Sequence, residues 1–243
     1  MQPTLAISTV IFALREDENG KRTLMLPLVQ RIREPHLGKW ALPGGPLNAN
    51  EDLDAAAARN LSETTALEPR YLEQLYAFGN PERSLSPGAD AERVVSIVYW
   101  ALVGSEEADK AATGENVAWF AADCLPDLAF DHNQIVEYAL WRLRSKIEYS
   151  RIALGFLGET FTLAQLREVY EVVLGKRLDP GNFRRMVESA NIVEPTGERL
   201  EGTRHRPPQL YRYNASQDLT DPDPLTLRTT STRPNARDLG AAS

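Results

Sequence analysis

Gly38-Lys-Trp-Ala-Leu-Pro-Gly-Gly45, then five residues to Glu51, then seven more to the run Arg59-Asn-Leu-Ser-Glu-Thr-Thr-Ala-Leu67: this stretch decides the fold. Glycine and proline make its first part a loop, and its second part reads as a helix from Glu51 to Thr65. Leu53, Ala57 and Leu61 recur at four-residue spacing and give that helix one apolar face. Ala55 to Ala58 are small and strongly helix-forming, so the helix can lie close against a sheet. Positions 60, 63 and 64 lie three and four apart and share a face. Three carboxylates there would bind magnesium, a hard cation that prefers oxygen. Here they are Asn60, Glu63 and Thr64, one carboxylate beside an amide and a hydroxyl. The same residues also suit an ordinary amphipathic helix with an exposed Arg59–Glu63 pair, worth about 0.2–0.5 kcal/mol.

The chain has 243 residues, 42% hydrophobic and 25% charged, which is ordinary for a globular protein of one large or two smaller domains. Its single cysteine, Cys124, permits no internal disulfide and no Cys-His metal cluster, which fits a reducing cytoplasm. Cys124 lies in an apolar context and is expected to pack in the core. The N-terminal apolar run Leu5–Leu14 has no basic segment before it and is too short to span a bilayer, so neither a signal peptide nor membrane attachment is expected.

Leu5–Leu14 and Thr23–Ile32 read as strands joined at Asn19-Gly20, a hairpin signal. Leu72–Phe78, Val94–Val103 and Val117–Phe120 read as further strands. Asp131 is expected to cap a helix to about Ile147, with Ile135, Ala139, Leu143 and Ile147 on one stripe. Residues 1–150 therefore form a mixed sheet with flanking helices. From 151 to 214 the pattern changes. Thr162 starts a helix with Leu163, Leu166, Tyr170 and Val173 inward, and Gly175 ends it. Asp179-Pro180 starts a second helix, with Phe183, Met186, Val187 and Ala190 toward the core. A turn at Thr196-Gly197 and a returning strand Gln209–Tyr213 complete helix, turn, helix and hairpin, the pattern of a winged helix-turn-helix. Residues 215–243 are rich in Thr, Ser, Asp and Pro and read as a disordered tail.

The formal net charge is −7, yet between Lys176 and Tyr213 eight basic residues face five acidic ones. Lys176, Arg177, Asn182, Arg184 and Arg185 fall on the second helix or just before it. Thr203, Arg204, His205 and Arg206 fall where a wing tip would be. A basic module on an acidic chain is a DNA-contact footprint, although a solvated basic face is a common alternative.

The first half resembles the Nudix box, in which Gly, five residues, Glu and seven residues precede Arg-Glu-apolar-x-Glu-Glu-x-Gly-apolar. Gly45, Glu51, Arg59, Leu61, Glu63 and Leu67 match, while Asn60, Thr64 and Ala66 depart. The two halves together resemble the Nudix-related transcriptional regulators of NAD metabolism. The resemblance runs from about residue 5 to 213. It is carried by Gly38–Gly45, Tyr76-Ala-Phe-Gly79, Leu128-Ala-Phe-Asp-His132, Asn182-Phe-Arg-Arg185, Glu194-Pro-Thr-Gly197 and Arg206-Pro-Pro-Gln-Leu-Tyr211. It implies an α/β Nudix sandwich followed by a winged helix, a homodimer, palindromic operator DNA, and ADP-ribose or a related nucleotide as effector.

Three readings follow. The first is a regulator of NAD synthesis or salvage genes, most often a repressor in such a family, whose Nudix domain senses the effector without a resident metal, cofactor or catalytic activity. The second is an active ADP-ribose pyrophosphatase with an appended domain. The third is a Nudix-like scaffold that binds a protein partner. Asn60 and Thr64 weigh against the second, and the basic helix and wing favour the first over the third. For the effector, backbone N–H groups at Gly44 and Gly45 and a cation from Arg31, Arg33 or Arg59 would meet the pyrophosphate. Trp40 or Phe78 would stack or line a wall, with a core role equally open to both. The segment Ser150–Gly158, with Gly155 and Gly158 around Phe156-Leu157, reads as the hinge between the halves.

Overall fold

In the computed structural model the described residues are 3–67, 69, 71–84, 93–109, 111, 115–147, 152–191, 193–200 and 207–214. The wing tip Thr203–Arg206 and the tail 215–243 lie outside them.

Strands β1 (Thr4–Glu16) and β2 (Arg22–Gln30) form the expected hairpin. The turn is fixed by Asp17, whose Oδ1 accepts the N–H groups of Asn19 and Lys21, and by Gly20 at φ 72°. Two short strands, β3 (Trp40–Ala41) and β4 (Gly44–Pro46), break up the Gly/Pro-rich loop. Helix α1 (Leu53–Thr65) follows, then β5 (Tyr71–Phe78), β6 (Val94–Val103), the short α2 (Ser105–Ala108), β7 (Val117–Ala121) and α3 (His132–Ile147). The main sheet runs β3-β2-β1-β6-β5, with β4 also on β1 and β7 also on β2. It is mixed: β1 pairs β6 in parallel from Thr4↔Val94 to Ala13↔Val103, and its other neighbours are antiparallel.

Alternation along β1 divides the interior. Val10, Phe12 and Leu14 face Ile135, Ala139 and Leu143 of α3. Ile7, Ile11 and Ala13 face the α1 side, where Ala56, Ala57 and Leu61 are fully buried. The α3 stripe is as expected, with Ile135, Ala139, Leu143 and Ile147 all at 0% exposure. Asp131 immediately precedes it, its carbonyl accepting the Ile135 N–H at 3.2 Å, while both carboxylate oxygens bind Arg83. Cys124 also departs from expectation. It is exposed, because it lies in the turn after β7 instead of on the sheet.

A 3-10 turn, Ile152–Phe156, leads into β8 (Thr160–Phe161), α4 (Leu163–Leu174), α5 (Pro180–Ala190), β9 (Val193–Arg199) and β10 (Gln209–Tyr213). These last strands pair as β8-β10-β9, the small sheet of a winged helix. Thr162 and Gln165 form a reciprocal capping box on α4, and Gly175 closes it in the left-handed conformation. Asp179 caps α5, with Pro180 at its start. On α5 only Phe183 and Val187 are buried. Met186 and Ala190 are exposed, so the stripe that α5 buries is narrower than its apolar period.

The described part of the expected hinge is closely packed. Ile152, Ala153, Leu154, Gly155 and Phe156 are all buried, and all but Gly155 belong to one apolar cluster that joins β1 and α3 to Leu166, Val169, Phe183 and Val187. A Cβ on Gly155 would come within 2.9 Å of Leu102 Cδ1, so this glycine serves close packing, not freedom. Each buried aliphatic or aromatic side chain contributes about 1.5–3 kcal/mol. The winged helix therefore sits on the sheet through a continuous apolar core.

Candidate functional site

The box helix begins at Leu53, two residues later than expected. Asp52 is its N-cap and accepts from Ala55 N–H at 2.7 Å. Glu51 is thereby left free to close on Arg59: Arg59 Nη2 donates to Oε1 at 2.7 Å and Nε to Oε2 at 3.0 Å. Glu51 also accepts the Asn48 N–H at 2.8 Å. The Arg59 guanidinium, then the Asn48 amide, hold the Glu51 carboxyl down at about 2.

Asn60 does not share a solvent face with Glu63. It is 4% exposed and faces the sheet, and its Nδ2 donates to Ile7 O at 3.3 Å. Its position four residues after Ala56 puts it on the helix side that the small alanines bring closest to β1. Thr64 Oγ1 donates to Asn60 O at 2.7 Å, and Glu63 is exposed beside Arg59 at 3.4 Å. A magnesium ion, which the Nudix resemblance implies, does not fit this donor set. One carboxylate is bound by a guanidinium, one amide is turned to a backbone carbonyl, and one hydroxyl is spent within the helix. No cluster of three His, Cys, Asp or Glu side chains capable of holding a metal occurs among the described residues.

Gly44 and Gly45 form β4, laid against Ser8 and Ile7 of β1. A Cβ on Gly44 would meet Ile7 O at 2.4 Å, so only glycine lets the two backbones approach this closely. Leu42, just before this strand, donates its N–H to His132 Nδ1 at 2.9 Å. Burial pushes His132 down to about 4, so it is the neutral imidazole that accepts.

Next to it, Phe130 adopts φ 56° and carries the Arg31 guanidinium 4.7 Å above its ring. Arg31 Nε donates to Pro35 O at 2.7 Å. Arg33 is exposed. Trp40 is half-buried, edge-on to Phe120 at 5.0 Å, and its carbonyl accepts the Ala129 N–H. On the far side Arg83 binds Asp131 through two nitrogens, at 2.7 and 2.8 Å, and Ser96 Oγ at 2.7 Å. Ser96 is the register partner of Phe78, which is half-buried against Tyr76 and Tyr138.

The sequence candidates thus fall in three groups. Gly44, Gly45 and Arg59 line the β4–α1 corner. Arg31 and Trp40 flank the Phe130–His132 corner, with Arg33 outside it. Phe78 stands across β6. Arg83, Phe130, Asp131 and His132 tie the groups together. Sequence reasoning gave none of them a site role, although Leu128–His132 stood out as a motif.

In the C-terminal part, Asn182, Arg184 and Arg185 are all exposed on α5, and Lys176 and Arg177 lie exposed in the turn before it. Arg184 Nε is 2.8 Å from Glu188 Oε1, and Arg185 is held by Asn182. The hairpin β9–β10 flanks this helix as a wing, with Arg212 paired to Glu194 at 2.6 Å. The arrangement defines a class: a Nudix-type sandwich carrying a winged helix whose second helix presents arginines to solvent.

The comparisons agree. Residues 5–139 match the NUDIX domain, and residues 153–213 match the NrtR DNA-binding winged helix domain. The chain is 32% identical over 222 residues to the ADPR responsive transcriptional repressor NtrR of Acinetobacter baylyi, covering 89% of this chain and 84% of that protein. Shewanella oneidensis NrtR has a solved structure that is 37% identical, with a TM-score of 0.74 over 87% of this chain and 94% of that one. The same regulator complexed with a 27mer DNA matches at 34% identity and a TM-score of 0.72, over 86% and 93% of the two chains. This chain belongs to the NrtR family of Nudix-related regulators.

Proposed function

We propose that this chain is a homodimeric, operator-binding repressor of NAD synthesis or salvage genes, with residues 1–150 as effector domain and 151–214 as DNA-binding domain. ADP-ribose, or a nucleotide like it, binds the Nudix domain as effector and is not hydrolysed. The observation that carries this reading is Asn60, buried and bonded to Ile7 O where a hydrolase needs a metal-facing carboxylate. The responsiveness of the Acinetobacter relative to ADPR supports the choice of effector.

Arg31, Arg33 and Arg59 with the Gly44–Gly45 backbone are the proposed pyrophosphate contacts, and Trp40 and Phe78 the aromatic walls. Lys176, Arg177, Asn182, Arg184 and Arg185, with Thr203, Arg204, His205 and Arg206, are the proposed DNA contacts. One winged helix reads one half-site, so a palindromic operator calls for a C2 dimer.

The test pairs two assays on the full chain: release of AMP from ADP-ribose with magnesium, and retention of a palindromic duplex from an NAD-synthesis promoter. Background hydrolysis with specific retention is expected. Ordinary turnover without retention would favour the pyrophosphatase instead.

A further inference from the structure

Helix α3 runs between the two functional regions. At its N-terminus His132 holds the Leu42 N–H and Asp131 holds Arg83. Twelve residues further on, about 18 Å along the axis, Arg144 lies in its last turn. Arg144 Nε donates to Val173 O at 3.0 Å, and its Nη2 reaches both Asp123 oxygens at 2.7 Å.

Val173 O is one of the last four carbonyls of α4, which have no partner within their own helix. A guanidinium there is favoured by the helix dipole as well as by the hydrogen bond. The end of α4 in turn sets α5. Leu178 N–H donates to Glu171 Oε1 at 2.8 Å, Asp179 caps α5, and the Tyr170 and Phe183 rings meet at 5.3 Å. Beside the bridge, α3, the loop after β7 and the end of α4 line an open groove of about 740 Å³. Arg144 joins the two helices at this edge, next to the apolar core in which Leu140 and Leu143 of α3 and Val173 of α4 are buried.

We propose that Arg144, oriented by Asp123, is the positioning residue through which the effector domain sets the attitude of α5. The inference rests on the regulatory reading given above. An exposed ion pair alone contributes little, with side chains here 37% and 64% accessible. Its predicted role is therefore in coupling and not in stability. A shift of the Phe130–His132 corner on effector binding moves α3 as a rod. Arg144 passes that movement to the end of α4, and the Leu178–Asp179 turn passes it to α5.

The experiment measures operator and ADP-ribose dissociation constants for the full chain, each with and without the other ligand, in wild type, Arg144→Ala, Arg144→Lys and Asp123→Ala. Wild type should show coupling of about 5–150-fold. In Arg144→Ala the separate affinities should stay within about threefold of wild type, while the coupling factor falls below about twofold. Asp123→Ala should fall between the two. Arg144→Lys keeps the charge but lacks the planar fork that meets Val173 O and both Asp123 oxygens at once, so it too should be intermediate. Full wild-type coupling in Arg144→Ala would overturn the proposal, as would a coupling loss caused only by failed ADP-ribose binding. Wild-type protein whose operator affinity ignores ADP-ribose would instead overturn the regulatory reading itself.

Discussion

Asn60 Nδ2 lies 3.3 Å from the carbonyl oxygen of Ile7, pinning the box helix to the central strand where that strand pairs with β4. The amide suits this place because it donates to a carbonyl without burying a charge. A carboxylate would face the Ile7 oxygen with nothing to donate unless it took up a proton.

Asn60→Glu should therefore cost about 1–3 kcal/mol near neutral pH. Burial raises the pKa of the introduced carboxyl, so the deficit should shrink as pH falls and the protonated acid donates to Ile7 O. Urea midpoints of both proteins at two pH values check this. A deficit that grows toward acid would show that position 60 opens to solvent.

His132 gives the wild type its own pH signature. Its folded pKa of about 4 lies below the ordinary value of 6.5, so the unfolded chain binds this proton more readily than the folded one. Stability from this group is complete above about pH 6.5 and is lost as pH falls toward 4, by roughly 3 kcal/mol in all. His132→Asn keeps an acceptor near Leu42 N–H and should flatten the dependence in that window. An unchanged slope would assign it to another group.

Arg83 and Asp131 are a nearly closed pair, with side chains 6% and 15% accessible. Arg83→Ala leaves a buried carboxylate without its counterion, and a loss of about 3 kcal/mol is expected. Because Asp131 adjoins His132 and Phe130, ADP-ribose affinity should fall as well. Calorimetry at a temperature where the variant remains folded separates the two effects. Wild-type affinity in the folded variant would remove the Phe130–His132 corner from the site.

On α5, Arg184→Ala and Arg185→Ala test whether each arginine meets phosphate or base. A phosphate contact should weaken all duplexes alike and reduce the salt slope by about one unit per contact. A guanine contact should also relax preference at one position, at about 1–3 kcal/mol. Arg184 is tied to Glu188, so Glu188→Ala should tighten binding if Arg184 must be freed to reach DNA. Unchanged operator affinity in both arginine variants would point to a protein partner instead.

Local signals carried most of the fold. Strand β6 lies where alternation and β-branched residues put it. The α3 stripe is buried residue for residue, and the caps Thr162, Gly175 and Asp179 act as their types dictate. The misses depend on what each element packs against. Met186 has the right period for burial, yet it is 44% exposed, while Phe183 and Val187 on the same helix pack against Tyr170, Val193 and Tyr211. Gly155 looks like a hinge residue and is a contact residue, because Leu102 from a distant strand fills the space above it. The site was least legible where partners lie far apart in sequence. The Leu42–His132 and Arg83–Asp131 contacts join residues 90 and 48 positions apart, and no local pattern announces them.

The central claim is that effector and operator share one equilibrium through this chain. Binding can shift that equilibrium only by differential affinity, and the shift must be equal in both directions. The most direct measurement is the closed cycle in wild-type protein: operator affinity with and without saturating ADP-ribose, and ADP-ribose affinity with and without operator. ADP-ribose should weaken operator binding, and operator should weaken ADP-ribose binding by the same factor. Equal ADP-ribose affinity in the presence and absence of operator would contradict it.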